Sequence, residues 1–446
     1  MSLKTPILYC LTLALLASTL MGCGSERQTP AEQTSTDMNT IAESFVKLVL
    51  AVGRHDGDYV DAYFGPDEWK SAVDSEALEL DAIRERAEQL AQSLEALPPA
   101  ADGTLEARRR ASLSTSIASL IAKVDLLSGV TMSFDEESEA LYDAVAPTYT
   151  ADHFDGILAR LDELLPGSGS VSERYEEYRR DFIIPTDLLD TVFSTAVDAC
   201  RAKTLEHMDL PAGESFDIEY VSDKSWSGYN WYQGDYHSLI QVNTDLPIYI
   251  DRALDLACHE GYPGHHVYNL MLERELLRGQ DWVEYSVYPL FSPRSLISEG
   301  TANFGIDVAF PAAERIDFER DVLFPLAGID PVEAEVYYEI QEQVRQLGYA
   351  GNEAARGYLN GEMNAEAAVD WLIKYSLMPP DRARQRLRFI EQYRAYVINY
   401  NYGKDLVRNY VEQRGGAADN PQLRWQLFTE MLSQPFLPSE LSEASP

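Results

Sequence analysis

The sequence predicts a mainly α-helical protein, one large helical domain with a single small β-sheet. Three observations predict it. Residues 72 to 97 and 104 to 129 are long, rich in Ala and Leu, and free of proline, which is the pattern of amphipathic helices. Helical periodicity returns at 331 to 347, 351 to 360, 364 to 375, 379 to 410 and 420 to 433. Strand-like alternation occurs convincingly only between 216 and 243.

The chain begins with Lys4 and an apolar run from Ile7 to Leu20, then Met21-Gly22-Cys23. A charged start, a short apolar stretch and small residues describe a secretory signal, too short to span a membrane. The Leu-x-Gly-Cys ending resembles a bacterial lipobox. That resemblance implies a signal at 1–22, cleavage before Cys23 and lipidation of its thiol. Gly24 in the next position points to the outer membrane in a Gram-negative host. Residues 23–38 are rich in Ser, Thr, Gln, Glu and Pro and read as a flexible tether. The expected location is the cell envelope, with membrane contact through the N-terminal lipid only.

The body, 39–446, divides into a helical part at 39–210, a sheet-bearing part at 211–310 and a second helical part at 311–446. Its length of about 400 residues is enough for a large core. The formal net charge of the whole chain is −37. Such a surface repels phosphate backbones and anionic headgroups, so no nucleic-acid partner is expected. Beyond Cys10 and Cys23, only Cys200 and Cys258 remain. The simpler reading is two small buried hydrophobes; one bridge in an oxidising compartment is the alternative.

Helices are expected at 38 to 51, 136 to 145, 151 to 165, 171 to 182 and 186 to 207. The acid- and aromatic-rich run 55 to 66, ending Gly65-Pro66, reads as a short helix and turn. Arg108-Arg109-Arg110 reads as a solvated helix face paired with nearby acids. Residues 216 to 221 and 238 to 243 alternate like strands, and 225 to 234 between them reads as a polar aromatic loop. His237 opens the second strand. It is a candidate substrate contact, although a structural histidine is the simpler reading.

Three of the seven histidines lie in His259-Glu260-Gly261-Tyr262-Pro263-Gly264-His265-His266. Neutral imidazoles and carboxylates are the ligands of zinc. The spacing excludes a straight helix. His265, six residues after His259, would lie roughly 120° away around the axis. His266 would share the face of His259 but lie about 10 Å along it, too far for bonds near 2 Å. Pro263-Gly264 can break the helix, and a two-residue loop-out would return His265 to the face of His259. A different loop-out would make His266 the ligand instead. Glu299 lies in an apolar helical run from 295 to 310, where a carboxylate is costly unless paired or metal-bound.

The motif His259-Glu260-x-x-Pro263-Gly264-His265-His266, with Glu299-Gly300 downstream, resembles the bacterial family labelled domain of unknown function 885. That family is grouped with the gluzincin metallopeptidases. The resemblance implies His259, His265 and Glu299 as zinc ligands, Glu260 as general base, and a small sheet beside the metal-binding helix whose edge can align a peptide. It implies a peptide or peptide-like substrate. The aromatic usual after Glu-Gly is Thr301 here. His266 remains a candidate substrate contact. The run Asn399-Tyr400-Asn401-Tyr402-Gly403-Lys404 interrupts the C-terminal helical pattern. Zinc peptidases commonly place a Tyr or His opposite the metal, which makes Tyr400 and Tyr402 candidates, with Arg408 behind them as a carboxylate anchor.

Overall fold

One buried helix organises the core. Pro293–Ala309 begins with proline at its first turn, where the missing donor would have no helical partner anyway. Fourteen of its seventeen residues are buried, so its neighbours cover it on nearly every side. It packs most extensively on Ile398–Gln413. A Cβ on Gly300 would lie 2.5 Å from the Gly403 carbonyl oxygen, and a Cβ on Gly403 would lie 2.8 Å from that of Leu296. Only glycine at both positions lets the two backbones approach so closely. The computed structural model describes residues 37–443 apart from Ser225. The expected signal, Cys23 and the tether up to residue 36 lie outside the described residues.

The fold is mainly α, as the periodicity predicts. Met38–Val52 is capped by Asp37, whose side chain accepts from the Thr40 amide. It packs against Leu80–Glu95 and Leu105–Leu127. The expected helix at 72 to 97 is two helices, Asp67–Glu76 and Leu80–Glu95, because Ala77 adopts a left-handed conformation with φ 49°. A satellite core of Phe154, Leu161, Ile340, Leu347 and Tyr375 joins Ala151–Leu164, Ala334–Gln346 and Ala365–Tyr375. No helix among the described residues is long and apolar enough to cross a membrane.

Two small sheets depart from the reading of the sequence. In the first, β2 (Ser215–Val221) runs parallel to β4 (His237–Asn243), and β3 (Gly228–Gly234) pairs antiparallel with β4 on the other side. The stretch expected as a polar loop is therefore mostly strand. Asn230, Tyr232 and Gly234 are buried while Trp231 and Gln233 face out, a period of two carried by aromatics that favour strands. In the second, β1 (Val60–Tyr63) pairs antiparallel with β5 (Val287–Pro289). Strands of four and three residues are too short to register as periodicity, so 55 to 66 was expected as helix and turn.

Three further expectations are corrected. The interruption of the C-terminal helices falls not at 399 to 404 but at Arg394, with φ 52°, after Pro380–Tyr393. Gly403 is a packing glycine inside a continuous helix. Arg109 is not solvated. It is 3 % exposed and forms a two-pronged pair with Glu284 at 2.7 and 3.0 Å. Arg110 donates to the carbonyls of Glu95, Leu97 and Pro98, tying down the loop before its helix. Cys200 and Cys258 form a disulfide, with Cα atoms 5.6 Å apart. It pins Leu189–Leu205 to the residue just before His259.

The glycine crossing predicts the cost of filling it. Gly403→Ala should destabilise the protein by about 1–3 kcal/mol, the range for forcing a methyl into a packed contact. Gly57→Ala, where a Cβ meets nothing within 4 Å, should stay within about 0.5 kcal/mol. Urea unfolding of both variants checks this. Equal midpoints would contradict the close crossing.

Candidate metal centre

The helix Ile250–Leu256 does not continue as α through the histidine motif. It widens into a π-helical turn at Ala257–Gly261, which carries His259 and Glu260. Such turns are frequent at functional sites. The Tyr262 amide reaches back to the Ala257 carbonyl at 3.3 Å, and Gly264 reaches the Cys258 carbonyl at 2.9 Å. Tyr262 is extended, the Tyr262–Pro263 peptide is cis, and a new helix starts at His265. A Cβ on Gly264 would sit 1.8 Å from the His259 carbonyl oxygen. No other residue fits there without moving the backbone. The reversal sets the rings of His259 and His265 side by side, centroids 4.6 Å apart and nearly perpendicular.

His266 is turned the other way. It is fully buried, with Nδ1 2.9 Å from Ser238 Oγ and Nε2 3.1 Å from Glu214 Oε2. Both ring nitrogens are committed, so the expectation of a substrate contact or alternative ligand is corrected. Ser238, His266 and Glu214 have the composition of a hydrolytic triad, but Ser238 is 0 % exposed and no substrate can reach it. They tie β4 to the helix that begins at His265. Burial works against ionised Glu214, yet donors from His266, Tyr262 and Arg201 outweigh it and hold its pKa near 2.

Glu299 completes the cluster from the central helix. Its Oε2 lies 3.4 Å from His259 Nε2 and 3.6 Å from His265 Nε2. Among the described residues, these three are the group able to offer converging ligand atoms, all within 4.8 Å of one another. Four ligands on bonds of about 2.0–2.1 Å stand roughly 3.3 Å apart at tetrahedral angles, so the spacing suits a small divalent cation. Glu299 Oε2 is buried without a hydrogen-bond partner, a costly state that a cation relieves. Burial disfavours charge on His265, but its contact with Glu299 prevails and raises its pKa to about 9. The two histidines conversely hold Glu299 far below the carboxylate range against the effect of burial. The negative potential responsible also attracts a metal ion.

Outer contacts orient these groups. Ser298 Oγ lies 3.1 Å from His265 Nδ1, leaving Nε2 on the side of Glu299. Tyr396 donates to Glu299 Oε1 at 2.9 Å. The turn bearing Tyr396 is clamped by buried Glu137, which accepts from Arg394 Nε at 2.7 Å and the Ala395 amide at 3.2 Å. Glu260 is 4 % exposed, and Asn230 Nδ2 donates to its carbonyl at 2.7 Å. Its carboxylate lies against Gly228 of β3, where a Cβ would come within 2.8 Å of Oε1. Asp61 of β1 accepts from the Tyr229 hydroxyl and feels the charges of His265 and Glu299; burial pushes its pKa up to about 6.

Of the tyrosine candidates, Tyr400 faces the site. Burial and then Glu299 raise its pKa well above 10, with Glu260 also contributing. Tyr402, about 200° further round the helix, faces Asp405 and Tyr349 instead. Arg408 is paired with Asp405 at 2.6 Å, roughly 12 Å along the axis from Tyr400. It is not placed to anchor a substrate. His237 is held by Ser215 Oγ at 3.1 Å and lies 3.6 Å from Asp217, both on β2. The sequence reading missed Tyr396, Ser298, Asp61 and Tyr229. The only signal for Ser298 was its position beside Glu299. Asp61 lay in the acidic, aromatic run whose strand went unrecognised.

No family model matches the chain, and no curated protein matches it significantly. Solved structures do. A candidate lipoprotein from Colwellia psychrerythraea superposes with a TM-score of 0.51 at 15 % identity, covering 82 % of this chain and 69 % of that one. A candidate lipoprotein of unknown function from Shewanella oneidensis gives 0.44 at 10 %, covering 84 % and 74 %. An M32 carboxypeptidase from Deinococcus radiodurans R1 gives 0.38 at 13 %, covering 91 % and 93 %. At these identities the first likeness shows a shared fold alone.

The geometry predicts ligand roles that metal analysis can separate. Loaded with zinc and washed, the domain should hold about one ion per chain. His265→Ala and Glu299→Ala should lose it, whereas His237→Ala should keep it. Retention by His265→Ala would contradict the cluster.

Proposed function

We propose that the protein is a zinc-dependent hydrolase of peptide or related amide bonds, held in the cell envelope by an N-terminal lipid. The observation that carries the reading is the convergence of His259 and His265 Nε2 on the orphaned Oε2 of Glu299, with Glu260 one residue from the first ligand. Two imidazoles and a carboxylate favour zinc among common divalent ions. When bound, zinc supplies an open position that acidifies water and polarises the scissile carbonyl.

The protein groups divide the remaining work. Glu260, wedged between its helix and Gly228, is the general base; it takes the proton of the attacking water and passes it to the leaving nitrogen. Tyr400, kept protonated by burial and by Glu299, donates to the oxyanion that develops on the substrate. Tyr396 and Ser298 hold Glu299 and His265 in register. β3, the edge of the three-stranded sheet, passes directly beside Glu260 and offers main-chain hydrogen bonds to an extended substrate.

The location rests on Leu20-Met21-Gly22-Cys23. The disulfide between Cys200 and Cys258 suits an oxidising compartment. The Colwellia protein with the same fold is likewise described as a candidate lipoprotein.

A panel of short peptides and cell-wall muropeptides tests the activity. Zinc-loaded protein should cleave members of one set. Glu260→Gln should keep its metal and lose about 10²–10⁴-fold in rate. No cleavage of either set by the zinc-loaded protein would overturn the hydrolase reading and leave a ligand-binding lipoprotein in its place.

A further inference from the structure

The chain holds 73 acidic residues against 36 Lys and Arg, so most guanidinium groups pair with a carboxylate. Arg386, in Pro380–Tyr393, is an exception: it forms no ion pair among the described residues. Its guanidinium lies over the Phe389 ring at 4.7 Å and faces the Tyr400 ring at 6.0 Å. Tyr400 in turn feels Glu299 and Glu260. Tyr400 packs on Tyr396, ring centroids 5.8 Å apart, and Tyr396 donates to Glu299 at 2.9 Å, so two aromatic rings link Arg386 to the candidate metal centre. One turn back, Arg382 is also half-buried, with Gln385 at 3.5 Å rather than a carboxylate. The neighbouring Arg179 and Arg252 are already committed to Glu176 and Asp255.

We propose that Arg386, supported by Arg382, anchors a substrate carboxylate, so that the substrates are peptides or peptide-like amides with a free C-terminus. This rests on the hydrolase reading above and specifies its substrate class. A half-buried guanidinium without a counter-ion is costly, and an incoming carboxylate relieves that cost. Its planar fork matches a carboxylate with two parallel hydrogen bonds. The helix is tied to the segments that lead into β3 and β1: Gln385 Nε2 donates to the Lys224 carbonyl at 3.2 Å and Gln392 Nε2 to Asp58 Oδ2 at 2.8 Å. Asp61 offers the opposite chemistry, an anchor for a substrate amine. Its carboxylate already accepts from Tyr229 and faces the positive charge of Arg294. Arg386 is the guanidinium, unpaired among the described residues, that lies against Tyr400.

The test uses zinc-loaded protein and matched N-acylated di- and tripeptides: free acids, their C-terminal amides, and amides carrying one internal Asp or Glu. Free acids should exceed amides in kcat/KM by roughly 10–100-fold, the worth of a hydrogen bond to a charged group. Arg386→Ala should collapse that ratio mainly through KM, with metal content unchanged, and Arg386→Lys should restore part of it. Equal use of acids and amides, or a ratio that survives Arg386→Ala, overturns the proposal. Preference for the internal Asp or Glu amides overturns assignment to the C-terminus. Equilibrium binding of the same pairs to Glu260→Gln is read without turnover. A free-acid preference there that Arg386→Ala abolishes, with no hydrolysis by the parent protein, sinks the hydrolase reading and keeps the anchor. Hydrolysis without the preference does the reverse.

Discussion

The chain reversal at Tyr262–Gly264 is the constraint on which the site depends. An α-helix cannot aim residues six apart at one ion. The widened turn at Ala257–Gly261 and the contact of Gly264 against the His259 carbonyl solve this by starting a second helix at once. His265 then swings beside His259, while His266 is carried into the core and locked by Ser238 and Glu214. The adjacent histidines thus do opposite jobs. One is held by Ser298 with its Nε2 turned toward Glu299, and the other fastens the new helix to the sheet.

The third member of the cluster arrives by a different route. Glu299 belongs to a helix so thoroughly buried that its position is set by packing, and the glycine crossing at Gly300 and Gly403 sets the distance to the C-terminal helices. That distance brings Tyr396 and Tyr400 to Glu299. The disulfide at Cys258 and the Arg394–Glu137 clamp fix the two segments from behind. Residues far apart in sequence are held in one polar cluster by mostly apolar packing, as a preorganised site requires.

Much of this was legible in the sequence because long helices announce themselves by period. The candidate cluster was legible because His, Glu, Pro and Gly are informative residues at short spacing, and the need for a break at Pro263-Gly264 follows from helix geometry alone. What was not legible depended on tertiary contacts. Gly403 looks like a helix breaker in sequence and is a packing contact in the fold. Arg394, the real break, has no local signal. β1 and β5 are stabilised across more than 220 residues of chain, as their pairing at Val60 and Pro289 shows. Arg408 is near Tyr400 in sequence, whereas Arg386 comes near it through a neighbouring helix.

The central claim is that His259, His265 and Glu299 hold one ion between them. X-ray absorption at the zinc edge of the loaded domain tests it most directly. The expected first shell is two imidazole nitrogens and carboxylate or water oxygen at about 2.0–2.2 Å, without sulfur. A single imidazole, a sulfur neighbour at about 2.3 Å, or a six-oxygen shell would contradict the site.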